Sequence, residues 1–292
     1  MPNIMWTWQQ ATVISAVLAA GWVLLTRRGL WLRAQPTIHE LALIIGLYAL
    51  WQLAGALASG SAPDAIVRGR WIWDAERTLY LPSEVWLQSL ILPHPLLAEA
   101  ANLYYYAAHF TVLILFLIWL FIRHRDAYPR WRTTLGIVTT ACFLIQFLPV
   151  APPRLVPGIR VVDTAALYHQ SVYATSVGSA DELSAMPSVH VAWALFVAVC
   201  ALRVTTSRWR YLGIVHAVLT TWVVVVTGNH YWGDAIVAAA LFVLTLAAQR
   251  CTRALWPRVS PGLRTRVEAW SSTSRWGVRT TREGGGGDGG HV

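Results

Sequence analysis

Seven apolar stretches constrain this chain more than anything else in it. They cover about residues 8–26, 41–59, 104–122, 133–150, 188–204, 211–228 and 233–249, and Arg203 and Asp234 are the only Arg, Asp or Glu within them. Each approaches the roughly 20 residues that a helix needs to cross the hydrocarbon core of a bilayer. The last is short, so the count is six or seven spans. The expected fold is all-α: a polytopic transmembrane helical bundle. Composition agrees, because 56% of the residues are hydrophobic and only 13% are charged, against about 25% charged in soluble domains. That excludes an ordinary soluble fold.

The distribution of arginine gives an orientation. There is no lysine, so the formal net charge of +9 comes from arginine alone. Arg27, Arg28 and Arg33 follow the first span. Arg123, Arg125, Arg130 and Arg132 follow the third, and Arg203, Arg208 and Arg210 separate the fifth from the sixth. Arg250, Arg253, Arg258, Arg264 and Arg266 follow the last. Every second loop is therefore basic, and the positive-inside rule makes those loops cytoplasmic. The N-terminus, segments 60–103 and 151–187, and the turn near 229–232 then face outward, in a seven-span protein of the plasma (inner) membrane. A signal peptide is a poorer reading of the first stretch, because its basic residues come after it. The positive charge is better explained by topology and anionic membrane lipids than by nucleic acid, which is not an expected partner.

Three regions follow: N-terminal transmembrane helices over 1–59, a core over 60–250, and a basic tail over 251–292. In the first outer segment Trp71, Trp73, Leu79, Trp86 and Leu87 alternate with Asp74, Glu76, Arg77 and Glu84, which predicts a helix lying in the interface. The tail is expected to rest on anionic lipid and to end in disordered glycines. Small residues such as Gly46, Gly136 and Ala238 are expected where helices pack. Cys142, Cys200 and Cys251 show no ligand or disulfide spacing.

Ionisable groups at membrane depth cost about 2.5–3.5 kcal/mol each and usually have a task. Here they converge on one predicted face. Met186-Pro187-Ser188-Val189-His190 opens the fifth span, Gly228-Asn229-His230-Tyr231-Trp232-Gly233-Asp234 joins the sixth to the seventh, and Ala151-Pro152-Pro153-Arg154 lies between the fourth and fifth. His230 and Asp234 are four apart and share a helix face, so the carboxylate can hold one imidazole nitrogen and leave the other as nucleophile or base. His190 sits near a helix start, where Ser188 and free backbone donors favour an anion, and can protonate a leaving alkoxide. Arg154 can grip a phosphate through two parallel donors, and Asn229 adds another. Together these groups suit histidine-based phosphoryl transfer without a metal or other cofactor.

Other readings compete residue by residue. His216 reads as a packing or helix-bridging histidine. His109, with Tyr105 one turn earlier, suits either a helix bridge or a substrate pocket. His190, His230 and Asp234 could instead bind a metal, with Asp163 and His169 in the neighbouring loop as further ligands. A transporter would be expected to carry its polar groups near the midplane on broken spans in paired halves, whereas these groups cluster at one face. A non-catalytic scaffold is the remaining non-enzyme reading.

Ser-X-His opening one span and His-X-X-X-Asp opening a later one resemble the second and third signatures of the type-2 phosphatidic acid phosphatase superfamily, over roughly residues 60–250. The Ala-Pro-Pro-Arg segment and the outer loop rich in Glu and Arg are more similar to the branch containing inositol phosphorylceramide synthases. The resemblance implies that His230 is transiently phosphorylated, that Asp234 orients it, that His190 protonates the leaving group and that Ser188 contacts the phosphate, with no metal. It implies a phospholipid or isoprenoid-phosphate substrate and either hydrolysis or transfer of a head group such as phosphoinositol. Two positions depart from the family pattern. The lysine of the first signature has no counterpart, and Val224 stands where the third signature has an arginine. Phosphate binding then falls to Arg154, with Arg160 as the second candidate.

Overall fold

A computed structural model describes residues 7–30, 35–57, 61–170 and 182–259. Each of the seven apolar stretches falls largely within a helix, and the described residues form helices and connections, with a single parallel bridge between Val150 and Ser184 in place of any sheet. Among the described residues, four helices are long and apolar enough to cross a membrane: Trp8–Arg27, Pro95–Arg123, Arg208–Val226 and Trp232–Ala254, with Val189–Val204 a shorter apolar helix. The protein is therefore an all-helical membrane protein.

Helices α1 (Trp8–Arg27) and α2 (Gln35–Leu57) pair as a hairpin. Thr7 and Gln10 form a reciprocal capping box at the start of α1. Ser15 Oγ donates to Ala42 O at 2.7 Å, beside the close approach at Gly46. Glu40 on α2 accepts hydrogen bonds from Tyr128 and Arg132 of α7 (Tyr128–Gln146), which ties the hairpin to the bundle.

Helices α3 (Ala62–Thr78) and α4 (Glu84–Ser89) follow, capped by Ser61 and Ser83. Trp71 and Trp86 are exposed, whereas Glu76 and Glu84 are buried. The next span begins earlier than its apolar stretch. Helix α5 (Pro95–Leu103) runs through a π-helical turn at Tyr104–Ala108 into α6 (His109–Arg123). Such turns shift the register of the side chains that follow and often mark functional sites.

The main core lies between α5–α6, α7, α9 (Val189–Val204), α10 (Tyr211–Val226) and α11 (Trp232–Val259). Ala238 is fully buried within it, and Gly213 of α10 meets Ala198 of α9, the small-residue contact that lets membrane helices approach. Gly136 faces open space instead. His216 bridges helices: its Nδ1 is 2.6 Å from Tyr104 Oη, which also meets Thr220.

A second cluster closes one end of the bundle. It joins Ala65 of α3, Val150, Ala151, Val156, Ile159 and Val161 of the segment after α7, Leu183, Ala185 and Tyr231. Val150 N donates to Leu183 O and Ala185 N to Val150 O, laying the two connections side by side. Gly69 lies where α3 crosses this layer, and a Cβ there would stand 2.6 Å from Ala151 O and 2.8 Å from Tyr231 Oη. The short α8 (Thr164–Leu167) is capped by Asp163. By its internal contacts the chain divides into Met1–Leu246 and Ala247–Val292. The glycine-rich end of the tail, and most of its arginines, fall outside the described residues.

Candidate active site

The site lies where α9 begins and where α10 turns into α11. Gly228 makes that turn with a φ of +73°, and a Cβ there would strike Val161 at 2.6 Å, so both the conformation and the space require glycine. Asp234 sits in the first turn of α11 and accepts from Tyr231 N at 2.9 Å through Oδ2, which fixes the helix start. The same oxygen lies 3.1 Å from His230 Nδ1, and Ala185 O lies 2.7 Å from that nitrogen. A carbonyl oxygen and a carboxylate can only accept, so Nδ1 carries the proton. In the neutral ring the lone pair therefore sits on Nε2, which is buried without a hydrogen-bond partner.

His190 stands two residues after Ser188, the N-cap of α9, whose Oγ accepts from Val191 N at 3.4 Å. The backbone N–H of Ser188 donates to Asp234 O at 3.2 Å, linking the start of α9 to that of α11. Gln146, at the end of α7, donates to Ser184 O and Pro187 O and holds the connecting segment that carries Ala185. The His190 and His230 rings meet edge to face with centroids 5.4 Å apart, and His190 Nδ1 is also buried without a partner.

The π-helical turn brings Tyr105 and His109 to the same place. Tyr105 stacks on His190 at 4.5 Å, and His109 lies 4.1 Å from His190. His109 Nδ1 is bonded to Tyr105 O at 2.8 Å. Tyr105 and His109, open between pocket and bridge in the sequence, thus join the histidines, and His109 Nδ1 bonds within its own helix. The three imidazoles adjoin one another, and the ring contacts continue through Trp193 to Phe110, an exposed side chain.

Arg154 follows Pro153 in a 3₁₀ turn, and its backbone N–H donates to Gly228 O. Its buried guanidinium donates to Asn229 Oδ1, lies 3.3 Å from Asp163 Oδ2 and reaches Glu182 Oε1 at 3.4 Å. Arg154 and Asn229 therefore meet beside His230, but the arginine is already paired with two carboxylates. Arg160 is exposed and is not drawn into this network. Asp163 is committed to Arg154 and the α8 cap. Among the described residues no group of three or more His, Cys, Asp or Glu is arranged to hold a metal ion.

Two contributors escaped the sequence reading. Ala185 acts through its carbonyl, which leaves no mark in a sequence. Glu76 was read as part of an interfacial helix, yet its Oε1 accepts from Gly233 N at 2.6 Å, directly before Asp234. Its pKa is pushed up to about 9, first by burial and then by the neighbouring Glu84 carboxyl.

A family model described as PAP2 superfamily matches residues 70–248, which spans α3 through α11 and every residue of this cluster. No curated protein and no solved structure gives a significant match. The chain belongs to the PAP2 superfamily and is a membrane enzyme of the phosphatase or phosphotransferase type.

Proposed function

We propose that this enzyme cleaves or transfers a lipid-linked phosphate through a phosphohistidine on His230, at the extracytoplasmic face and without a metal ion. The observation that carries the reading is the state of His230: Nδ1 is held protonated by Asp234 and Ala185 O, while Nε2 is buried and unpartnered. A lone pair fixed in this way is a nucleophile prepared for phosphorus. Nε2 attacks, the phosphorus–oxygen bond to the lipid alcohol breaks, and His190 gives that oxygen a proton. Water or an alcohol then attacks the phosphorus, returns its proton to His190 and frees Nε2. The ordered Nδ1 contact stabilises the positive charge that develops on the His230 ring, as an acceptor does for any acting imidazole.

Ser188, Asn229 and Arg154 are the proposed holders of the phosphate oxygens, with Arg160 the outlying candidate. For Arg154 this requires the incoming phosphate to compete with Asp163 and Glu182, or to be bound by the donors that face it while those pairs persist. Lipid character of the substrate is supported by the run of ring contacts from His190 through His109 to exposed Phe110, apolar surface suited to an acyl or isoprenoid chain. The outward orientation rests on the alternation of basic loops.

The test uses purified protein in detergent with excess chelator, phosphatidic acid and an isoprenoid phosphate as substrates, and inositol or glycerol as acceptor. Phosphate release that survives chelation and is lost in His230→Ala is expected of a hydrolase. Product formed only with an acceptor identifies a transferase. Turnover that requires a divalent ion, or that persists in His230→Ala, overturns the proposal.

A further inference from the structure

Close to Asp234 lies a group of buried charges that phosphoryl transfer does not itself require. Glu76 is 2% exposed and Glu84 fully buried. Arg77 Nη2 donates to Glu84 Oε2 at 3.1 Å and lies 3.8 Å from Glu76 Oε2. Glu76 Oε1 accepts from Gly233 N, and Gly233 opens α11 immediately before Asp234. The remaining oxygens, Glu76 Oε2 and Glu84 Oε1, are buried and have no donor. Two ionised carboxylates facing each other with one arginine, and with Asp234 as a third, would leave uncompensated buried charge, which costs several kcal/mol per ion. One proton between Glu76 and Glu84 removes the excess and supplies the missing donor.

We propose that Glu76 and Glu84 form a proton-sharing carboxyl pair that positions Asp234, and through it His230, by holding the backbone of Gly233. The inference deepens the role proposed for His230 and rests on it. Arg77 donates to Glu84, and Glu76 carries the proton while accepting from Gly233. The groups facing Glu76 are Glu84 from α4, Arg77 from its own helix, and Asp234 and Tyr231 from α11 and the turn before it. Arg70, one turn and a half earlier on α3, acts on Tyr231. With its pKa near 9, Glu76 is neutral at pH 7. When it ionises, three carboxylates face one arginine across the first turn of α11. Repulsion of Glu76 from Glu84 and Asp234 then outweighs the Gly233 N–H bond, which by itself favours the carboxylate, and Asp234 no longer keeps Nδ1 in register.

The sign for stability follows from the same shift. Glu76 holds its proton up to about pH 9 when folded, against 4.5 as its ordinary value. Its stabilising contribution is full below pH 4.5 and is lost progressively between pH 4.5 and 9.

Two measurements on the full-length protein in detergent test this. Infrared difference spectra of the native protein and Glu76→Gln should show, at pH 7, a protonated-carboxyl band that the variant lacks. The pH dependence of phosphatidic acid turnover should show an alkaline limb near pH 9, falling about tenfold per unit beyond it as expected for one ionisation. Glu76→Gln, which keeps an oxygen for Gly233 and a permanent donor for Glu84, should stay active and lose that limb. Glu84→Gln removes the like charge and should move the limb to lower pH, whereas Glu76→Ala should lose most activity at every pH. A merely structural role predicts superimposable pH profiles in the native protein and Glu76→Gln, and either that result or the absence of the carboxyl band overturns the pair. Persistence of turnover in His230→Ala, with the carboxyl band present, would instead overturn the His230 reading and leave the shared proton standing.

Discussion

His230 Nδ1 lies 3.1 Å from Asp234 Oδ2, and that oxygen also accepts from Tyr231 N at 2.9 Å. One carboxylate oxygen therefore does two jobs, fixing the first turn of α11 and choosing the tautomer of the histidine just before that turn. The geometry follows from an i,i+4 spacing at a helix start, where a short acidic side chain can reach back to backbone N–H groups that lack helical partners.

Asp234→Asn should expose that coupling. The amide can offer a hydrogen to Nδ1 and so favour the tautomer with its proton on Nε2, which removes the lone pair. Turnover should fall by about 10²- to 10⁴-fold, in line with triad carboxylates, while the protein still purifies as a folded species. Steady-state kinetics give the answer, and a loss below threefold would show that Ala185 O alone sets the tautomer.

His190→Ala should be graded by the leaving group. A general acid contributes about 10²–10⁴-fold when the departing oxygen is basic and little when it is not. Lipid alcohol esters should lose most of their rate, and a nitrophenyl phosphate should lose far less. Equal losses for both substrates would remove His190 from the acid role.

Arg154→Ala should weaken binding of vanadate, a mimic of pentavalent phosphorus, by about tenfold or more, since charge-assisted contacts to an oxyanion are worth about 1.5–3 kcal/mol. Inhibition constants measure this directly. An unchanged constant would leave Arg154 as a strut between Asp163, Glu182 and Asn229 and nothing more.

Gly69→Ala tests the layer that supports the site. The added methyl would meet Ala151 O at 2.6 Å and Tyr231 Oη at 2.8 Å, and that hydroxyl donates to the same Ala151 carbonyl at 3.0 Å. Overpacking of this kind costs about 1–3 kcal/mol. Thermal unfolding in detergent should show a lower midpoint, and an unaltered midpoint would mean that α3 can shift without cost.

Much of this was legible from the residues because the strongest signals are local. Apolar length marked the helices, and the His230–Asp234 spacing marked a contact, although His230 lies just before α11 rather than on its face. Ser188 and His190 were legible as the opening of a helix, since a cap residue announces its position. The π-helical turn at Tyr104–Ala108 has no sequence signature, so the contact of Tyr105 and His109 with His190 is not legible in the sequence. Helix α5 was missed as the beginning of a span because its polar residues, Glu99 and Asn102, broke the apolar run. Arg154 and Asn229 are legible as two candidate phosphate donors, but a sequence cannot say that they bond to each other or that Asp163 and Glu182 already pair with the guanidinium. Glu76 and Glu84 looked like the polar face of an interfacial helix, and only the tertiary fold turns that face inward.

The most direct test of the central claim is chemical trapping of the intermediate. The purified enzyme would be quenched during turnover of a substrate labelled in its phosphate, and the adduct located by its stability in base, its lability in acid and peptide mass mapping. The account predicts one phosphate on His230, absent in His230→Ala and longer-lived when acceptor or water attack is slowed. A labelled adduct on another residue, or turnover with no covalent adduct under conditions that slow the second step, would contradict it.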